Sequence, residues 1–136
     1  MRQRPEQDLL RDERGATAVE FALIVPLLIV LLLGIAEFGR AFQVQGTLAA
    51  AAREGVRMMA LQNSQPTARA TARSVASSLN PALTDAQISF APAACPTTYS
   101  PGSTVTITIR YREPFLTGAF GAGVNLTATG VMRCGG

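Results

Sequence analysis

An uninterrupted apolar segment lies near the start of the chain. Residues 21–36 contain no charged side chain, and the five residues before them add one carboxylate, Glu20. As a helix, residues 16–36 would measure about 31 Å, which matches a hydrocarbon core of about 30 Å. The segment ends in G-I-A-E-F-G-R, without the small-x-small cleavage site that follows the shorter core of a secretory signal peptide. The pattern therefore predicts a retained transmembrane helix over residues 16–36, with a simple bend at Pro26.

The helical pattern continues beyond the apolar segment, over residues 37–62. This stretch is rich in Ala, Leu, Met, Gln, Glu and Arg, which favour helices, and no strong turn signal precedes it. The polar positions that share one arc of about 100° are Arg40, Gln43, Thr47, Glu54 and Arg57. The large apolar residues on the remaining surface are Phe38, Phe42, Val44, Leu48, Val56 and Met59. The pattern allows either one domain wrapped around this helix or a domain on one side and a self-assembly partner on another.

A short helix and three strands are predicted within residues 63–136. Asn63–Pro66 interrupts the first helix, and an apolar stripe at helical spacing then runs until Asn80-Pro81. The strand candidates are Ala86–Phe90, Thr104–Tyr111 and Val124–Met132. The middle candidate alternates strictly between apolar and polar residues, as expected for a strand with one covered face. The predicted fold class is α+β: a long N-terminal transmembrane helix that continues into a small domain with a short helix and a three-stranded antiparallel sheet.

The two cysteines of the chain, Cys95 and Cys134, both lie beyond the apolar segment. Residues 63–136 are too few for a large enzyme core, and a disulfide would stabilise so small a domain by about 2–4 kcal/mol in an oxidising compartment. We therefore expect these cysteines to be bonded outside the cytoplasm. Arginines 2, 4, 11 and 14 precede the apolar segment, and arginines 40 and 53 follow it. This slight positive-inside bias agrees with an N-terminus in the cytoplasm and an extracytoplasmic C-terminal domain.

Residue patterns of common catalytic sites are absent from the sequence. There is no histidine, no C-x-x-C pair, no glycine-rich phosphate loop and no G-x-S-x-G nucleophile motif. We therefore expect no enzymatic activity, and no cofactor, metal ion or small-molecule substrate. Asp85 and Glu113 stand near strand ends and are expected to be solvated structural charges. The net charge of +3 is spread along the chain without a basic cluster, which argues against nucleic-acid binding.

Glu20 is the candidate functional residue that the hydrophobic pattern reveals. An ionised side chain costs about 2.5–3.5 kcal/mol at the centre of a membrane helix, and less at its edge. A carboxylate at the end of an apolar segment is therefore expected where it has a function in the protein. The alternative is that Glu20 only marks the membrane boundary.

The residues around Glu20 form a recognisable motif. Gly15 is followed by A-T-A-V-E-F, so that Glu20 and Phe21 begin five residues after the glycine. This arrangement resembles the processing site of type IV pilin-like proteins. The wider pattern R-G-A-T-A-V-E-F-A-L-I-V-P, followed by A-E-F-G-R and A-A-A-R-E-G-V-R, resembles the TadE-like pseudopilin family of the tight-adherence (Flp) pilus system. The motifs cover residues 14–57, beyond which the chain is similar only in layout.

The resemblance implies that the chain is processed and then assembles. A membrane-bound prepilin peptidase would cut between Gly15 and Ala16 on the cytoplasmic face, which removes residues 1–15 as a leader. Glu20 and Phe21 would then be assembly residues, with Glu20 beside the new α-amine of a neighbouring subunit. The expected organisation is a leader over residues 1–15, a transmembrane helix over 16–36, an outward continuation over 37–62 and a small extracytoplasmic domain over 63–136.

The implied function is that of a non-catalytic minor pseudopilin in the bacterial cytoplasmic membrane. Its expected partners are the membrane, the prepilin peptidase, other pilin-like subunits and the pilus assembly machinery. The alternative is an uncleaved single-pass membrane protein whose outer domain binds another envelope component.

Overall fold

One long helix carries the N-terminal part of the chain. The computed structural model describes the backbone of residues 6–98 and 100–135 and the side chains of residues 15–98 and 100–135. Helix α1 runs over Glu6–Gln62 and continues through Pro26. Residues 1–5 of the predicted leader lie outside the described residues. The chain divides into two compact units, Met1–Phe38 and Gly39–Gly136.

The first unit is helical throughout its described residues; most of its apolar side chains are exposed, whereas Glu37 near its end is buried. Its apolar segment belongs to the one helix in the described part of the chain that is long and apolar enough to cross a membrane. In the most apolar 18-residue window of that helix no residue is buried. Such a surface is far larger than the apolar patches of soluble monomers, which agrees with a single-pass membrane protein.

The second unit combines the rest of α1 with a short helix and a small sheet. Helix α2 spans Gln65–Val75, and a 3₁₀ turn at Asp85–Gln87 precedes the sheet. The strands are β1 at Ile88–Ala91, β2 at Thr104–Glu113 and β3 at Val124–Arg133. They pair in the order β1-β2-β3, and both pairs are antiparallel. The predicted α+β fold class is confirmed.

The core of this unit lies between α1 and the inner face of the sheet. On β2 the side chains at 105, 107, 109 and 111 are buried, which confirms the alternation predicted from the sequence. They share one hydrophobic cluster with buried residues of both helices; those of α1 include Val44, Leu48, Val56 and Met59. Alanines 68, 72 and 76 bring the α2 segment close to this cluster because their side chains are small.

Two glycines allow helix α1 to approach its neighbours closely in the core. A Cβ atom on Gly130 of β3 would lie 2.8 Å from the carbonyl oxygen of Ala52. A Cβ atom on Gly55 would lie 2.8 Å from Cδ1 of Ile107 and 3.2 Å from the Cβ of Ala72. The backbone of α1 can therefore rest directly on the sheet and on α2.

Strand β3 runs alongside α1 in the same direction. The Gln45 side-chain amide donates to the carbonyl oxygen of Thr127 at 2.9 Å. Further along both elements Gly130 faces Ala52, and the backbone N–H of Gly135 donates to the carbonyl oxygen of Ala60 at 3.2 Å. The turn between β2 and β3 therefore lies at the same end of the second unit as its first residue, Gly39.

Candidate functional site

The predicted cleavage site lies on an accessible part of α1. Gly15 and Ala16 are both exposed, and a Cβ atom on Gly15 would contact nothing within 4 Å. Both residues are helical. The structure contains no peptidase, so the cleavage between these residues stays a prediction.

Glu20 and Phe21 lie one to two turns further along the same helix. Both side chains are exposed, and Phe21 exposes 69% of its surface. Within the part of the chain that the structure describes, no basic group lies within ion-pair distance of Glu20. Among the described side chains, none therefore compensates the charge of this carboxylate at the edge of the apolar segment. A cation from outside the described residues would offset the cost of placing this carboxylate beside the apolar segment.

The apolar residues beyond Glu20 surround the helix. The large ones that expose about half of their surface or more are Leu23, Ile24, Leu27, Leu28, Ile29, Val30, Leu31, Leu32 and Ile35. They do not form a stripe, because a single stripe would leave polar residues on the opposite face. A helix that is apolar all round suits the hydrocarbon of a bilayer or a bundle of similar helices.

In the second unit α1 has one covered face and one open face. Val44, Leu48 and Met59 are buried against the domain, as predicted for one side of this helix. Phe42 exposes 77% of its surface, and a Cβ atom on Gly46 would contact nothing within 4 Å. The single-domain alternative, in which the domain wraps the whole helix, is therefore wrong. Part of the apolar surface stays available to a partner.

Glu113 corrects an expectation from the sequence. Instead of a solvated charge, it is a buried carboxylate with 2% exposure, and the Nε atom of Arg40 lies 2.7 Å from its Oε1 atom. Neither carboxylate oxygen of Glu113 has a hydrogen-bond partner among the described residues, so the contact is an ion pair. Asp85 does remain exposed, 3.5 Å from Arg73. The sequence did contain a signal for this burial. The alternation of inward and outward residues in β2 continues past Tyr111, so that residue 113 faces inward.

A cleft of about 270 Å³ lies beside the Arg40–Glu113 pair. Gln43 and Thr47 of α1 and Asn80 line its walls with neutral polar groups. Next to it the Tyr111 hydroxyl donates to the carbonyl oxygen of Pro81 at 2.7 Å. Burial raises the pKa of Tyr111, the Glu113 carboxylate raises it further, and Arg40 opposes both. Among the described residues, no group of three or more His, Cys, Asp or Glu side chains is placed to hold a metal ion.

The predicted pairing of Cys95 with Cys134 is present in the structure as a disulfide. It links the loop after β1 to the residue that follows β3. Asn63, directly after α1, accepts from the backbone N–H of Cys95 and donates to its carbonyl oxygen, at 2.7 and 3.0 Å. The disulfide and this amide together fix the loop to the end of α1.

Comparison with known proteins finds a similarity in the N-terminal part of the chain. Residues 15–57 match the protein family described as TadE-like protein. The match begins at Gly15 and includes Glu20, the apolar segment and the polar arc of α1. No curated protein and no solved structure matches the chain. The resemblance that the sequence motifs indicate is therefore confirmed over residues 15–57.

Proposed function

Because residues 15–57 are TadE-like, we propose that the chain is a non-catalytic minor pseudopilin of a tight-adherence pilus or a related secretion system. The family match supports involvement in tight-adherence pilus assembly. The observation that carries the more specific proposal is the exposed carboxylate of Glu20, which has no basic partner among the described side chains. It lies five residues after Gly15, on a helix whose apolar surface is uncovered.

The proposed mechanism begins with removal of residues 1–15 by a prepilin peptidase. Cleavage creates an α-amine at Ala16, with an ordinary pKa of about 8, so that the amine is largely protonated at neutral pH. When mature helices pack side by side, Glu20 of one subunit lies beside the new amine of its neighbour. Each charge then compensates the burial of the other, and their pairing sets the register between the helices. Phe21 adds apolar contact at the same level.

Before assembly, the same helix anchors the subunit in the bacterial cytoplasmic membrane. In this arrangement the N-terminus faces the cytoplasm, where the peptidase acts, and the domain with the disulfide lies on the oxidising side. Other pilin-like subunits replace lipid around the helix as the structure assembles. The exposed Phe42 and Gly46 extend the contact surface beyond the membrane.

Intact-mass measurement of the membrane-extracted protein tests the proposed processing. In a host with the native peptidase, the protein should lack residues 1–15 and begin at Ala16. In the same host without the peptidase, the full-length chain should accumulate. A full-length chain in both hosts would exclude the processed pseudopilin and favour an uncleaved single-pass protein whose outer domain binds another envelope component.

A further inference from the structure

Glu113 places a buried carboxylate in the wall of the cleft beside Arg40. Its side chain is 2% exposed, and neither Oε1 nor Oε2 has a hydrogen-bond partner among the described residues. Buried carboxylates normally accept several hydrogen bonds, because leaving their oxygens unpaired is costly. The ion pair with Arg40 offsets the charge of Glu113 but leaves acceptor positions on both oxygens. A donor that enters the cleft can occupy these positions.

The charges in the cleft favour a ligand without net charge. Among the residues that line it, Arg40 and Glu113 are the charged ones, and their charges cancel. A cationic ligand would compete with Arg40 for the carboxylate, and an anionic ligand would be repelled by Glu113. Separating this pair is costly, because one of its members is buried. A neutral ligand keeps the pair intact and still meets N–H donors of the guanidinium, which carries five.

The rest of the lining combines groups that form hydrogen bonds with a small apolar surface. Four uncharged polar residues and two aliphatic residues complete it: Gln43, Thr47, Ser78, Asn80, Val44 and Leu79. Amide and hydroxyl side chains both donate and accept hydrogen bonds. A ligand that matches this lining carries hydroxyl groups around its edge and C–H groups on its faces. A sugar ring has both features.

The size and position of the cleft suit a single sugar unit. Its volume of about 270 Å³ lies just below the range of about 300–1,000 Å³ that holds drug-sized ligands. Gln43, Ser78 and Asn80 are exposed, so that the cleft opens to solvent. Every residue of the lining belongs to the second unit, Gly39–Gly136. The cleft is therefore formed within one compact unit.

We propose that this cleft binds a neutral hexose unit, either as a free sugar or at the end of a glycan. Glu113 accepts hydrogen bonds from neighbouring hydroxyl groups of the sugar, and Arg40 donates to a further one. The amides of Gln43 and Asn80 contact the remaining hydroxyl groups. No bond of the sugar is formed or broken, so the cleft is a recognition site. This binding is an additional function of the domain and does not depend on leader removal.

Ligand-observed NMR titrations of the full-length protein test the proposal. The protein is placed in phospholipid nanodiscs, because many detergents carry a sugar headgroup that would compete for the cleft. The probes are glucose, galactose, mannose and N-acetylglucosamine, each as the free sugar and as its methyl glycoside, with methylammonium as a charged probe. Glu113→Gln removes the carboxylate, and Gln43→Ala removes one exposed amide from the lining. Gln62→Ala is the matched control, because Gln62 is exposed and lies about 28 Å further along α1 than Gln43.

We expect at least one hexose to bind at millimolar concentration. Glu113→Gln should weaken this binding at least about tenfold, because hydrogen bonds to a charged group are stronger than those to an amide. Gln43→Ala should weaken it at least about twofold, whereas Gln62→Ala should leave it unchanged. The Gln43→Ala variant decides the test alone if Glu113→Gln does not fold. Equal binding of free hexoses and methyl glycosides would assign the site to glycan ends, and binding of free hexoses alone would assign it to free sugar.

Three results would overturn the proposal. If no hexose or methyl glycoside binds, water solvates the carboxylate of Glu113 and the cleft is not a sugar site. If folded Glu113→Gln or Gln43→Ala protein retains full hexose binding, the sugar binds elsewhere. If methylammonium binds in place of the hexoses, the carboxylate serves a cation.

Discussion

Arg40 compensates a carboxylate in the interior of the domain. Glu113 is almost fully buried, whereas the Arg40 side chain is 34% exposed, so that the pair lies at the border between interior and solvent. A buried carboxylate without its cation is destabilising, because its lost hydration is no longer offset. The pair also joins the end of β2 to the part of α1 that follows the apolar segment. One arginine therefore fixes the sheet at that level of the helix.

Substitution of this arginine should destabilise the domain. We expect Arg40→Gln to lower the free energy of unfolding by about 1–3 kcal/mol, less than for a fully buried pair because solvent reaches Arg40. The matched control is Arg57→Gln, which removes an exposed partner of Glu54 at 3.8 Å and should change stability by less than about 0.5 kcal/mol. Urea unfolding of the detergent-solubilised chain compares the two. Equal effects would show that Glu113 does not depend on Arg40.

The close contact between Gly130 and helix α1 leads to a second prediction at the residue scale. In Gly130→Ala the new methyl group meets the backbone of Ala52, which cannot move aside as a side chain would. We expect a loss of about 1–3 kcal/mol in the free energy of unfolding, as for other overpacked cores. Gly46→Ala is the control, because its methyl group enters open space in a helix and should stabilise it by up to about 1 kcal/mol. Similar stability of both variants in urea unfolding would contradict the close contact between β3 and α1.

At the scale of elements, the periodicity of the sequence predicted correctly those features that depend on the burial of one face of a single helix or strand. The apolar segment and the alternation of β2 both emerge correctly, because burial imposes the period of the element on its sequence. The start of β1 differs: Ala86 belongs to a 3₁₀ turn, since Gln87 accepts at 2.8 Å from the backbone N–H of Thr84. The burial of Glu113 depends on Arg40, which lies 73 positions earlier in the chain. The spacing of residues along the sequence cannot indicate a partner so far away in the chain.

The disulfide connects two such distant elements and is testable chemically. Denaturation of the unreduced protein should expose no free thiol, whereas reduction should expose two, from Cys95 and Cys134. Replacement of both by serine should lower the free energy of unfolding by about 2–4 kcal/mol, because the unfolded chain loses a cross-link. Two reactive thiols in the unreduced protein would contradict the bond. They would also weaken the case for an extracytoplasmic domain.

At the scale of the whole molecule, the two units have different tasks in the proposed function. Unit Met1–Phe38 contains the features that the proposed assembly would use, namely Gly15, Glu20 and the exposed apolar surface. Unit Gly39–Gly136 has its own core, disulfide and buried ion pair, so its fold does not depend on assembly. Changes to Glu20 should therefore alter association without altering the domain.

The co-purification of a Glu20→Gln variant with other pilin-like subunits tests this account most directly. The variant keeps the helix and Gly15, so leader removal should continue, but the amine of a neighbouring subunit loses its partner. Loss of one member of a buried pair costs up to about 3–5 kcal/mol, and each 1.4 kcal/mol changes an equilibrium about tenfold. Co-purification of the processed variant should therefore fall at least about tenfold, whereas Glu54→Gln on the exposed part of α1 should leave it unchanged. Undiminished co-purification of the processed Glu20→Gln variant would contradict the role of Glu20 in assembly.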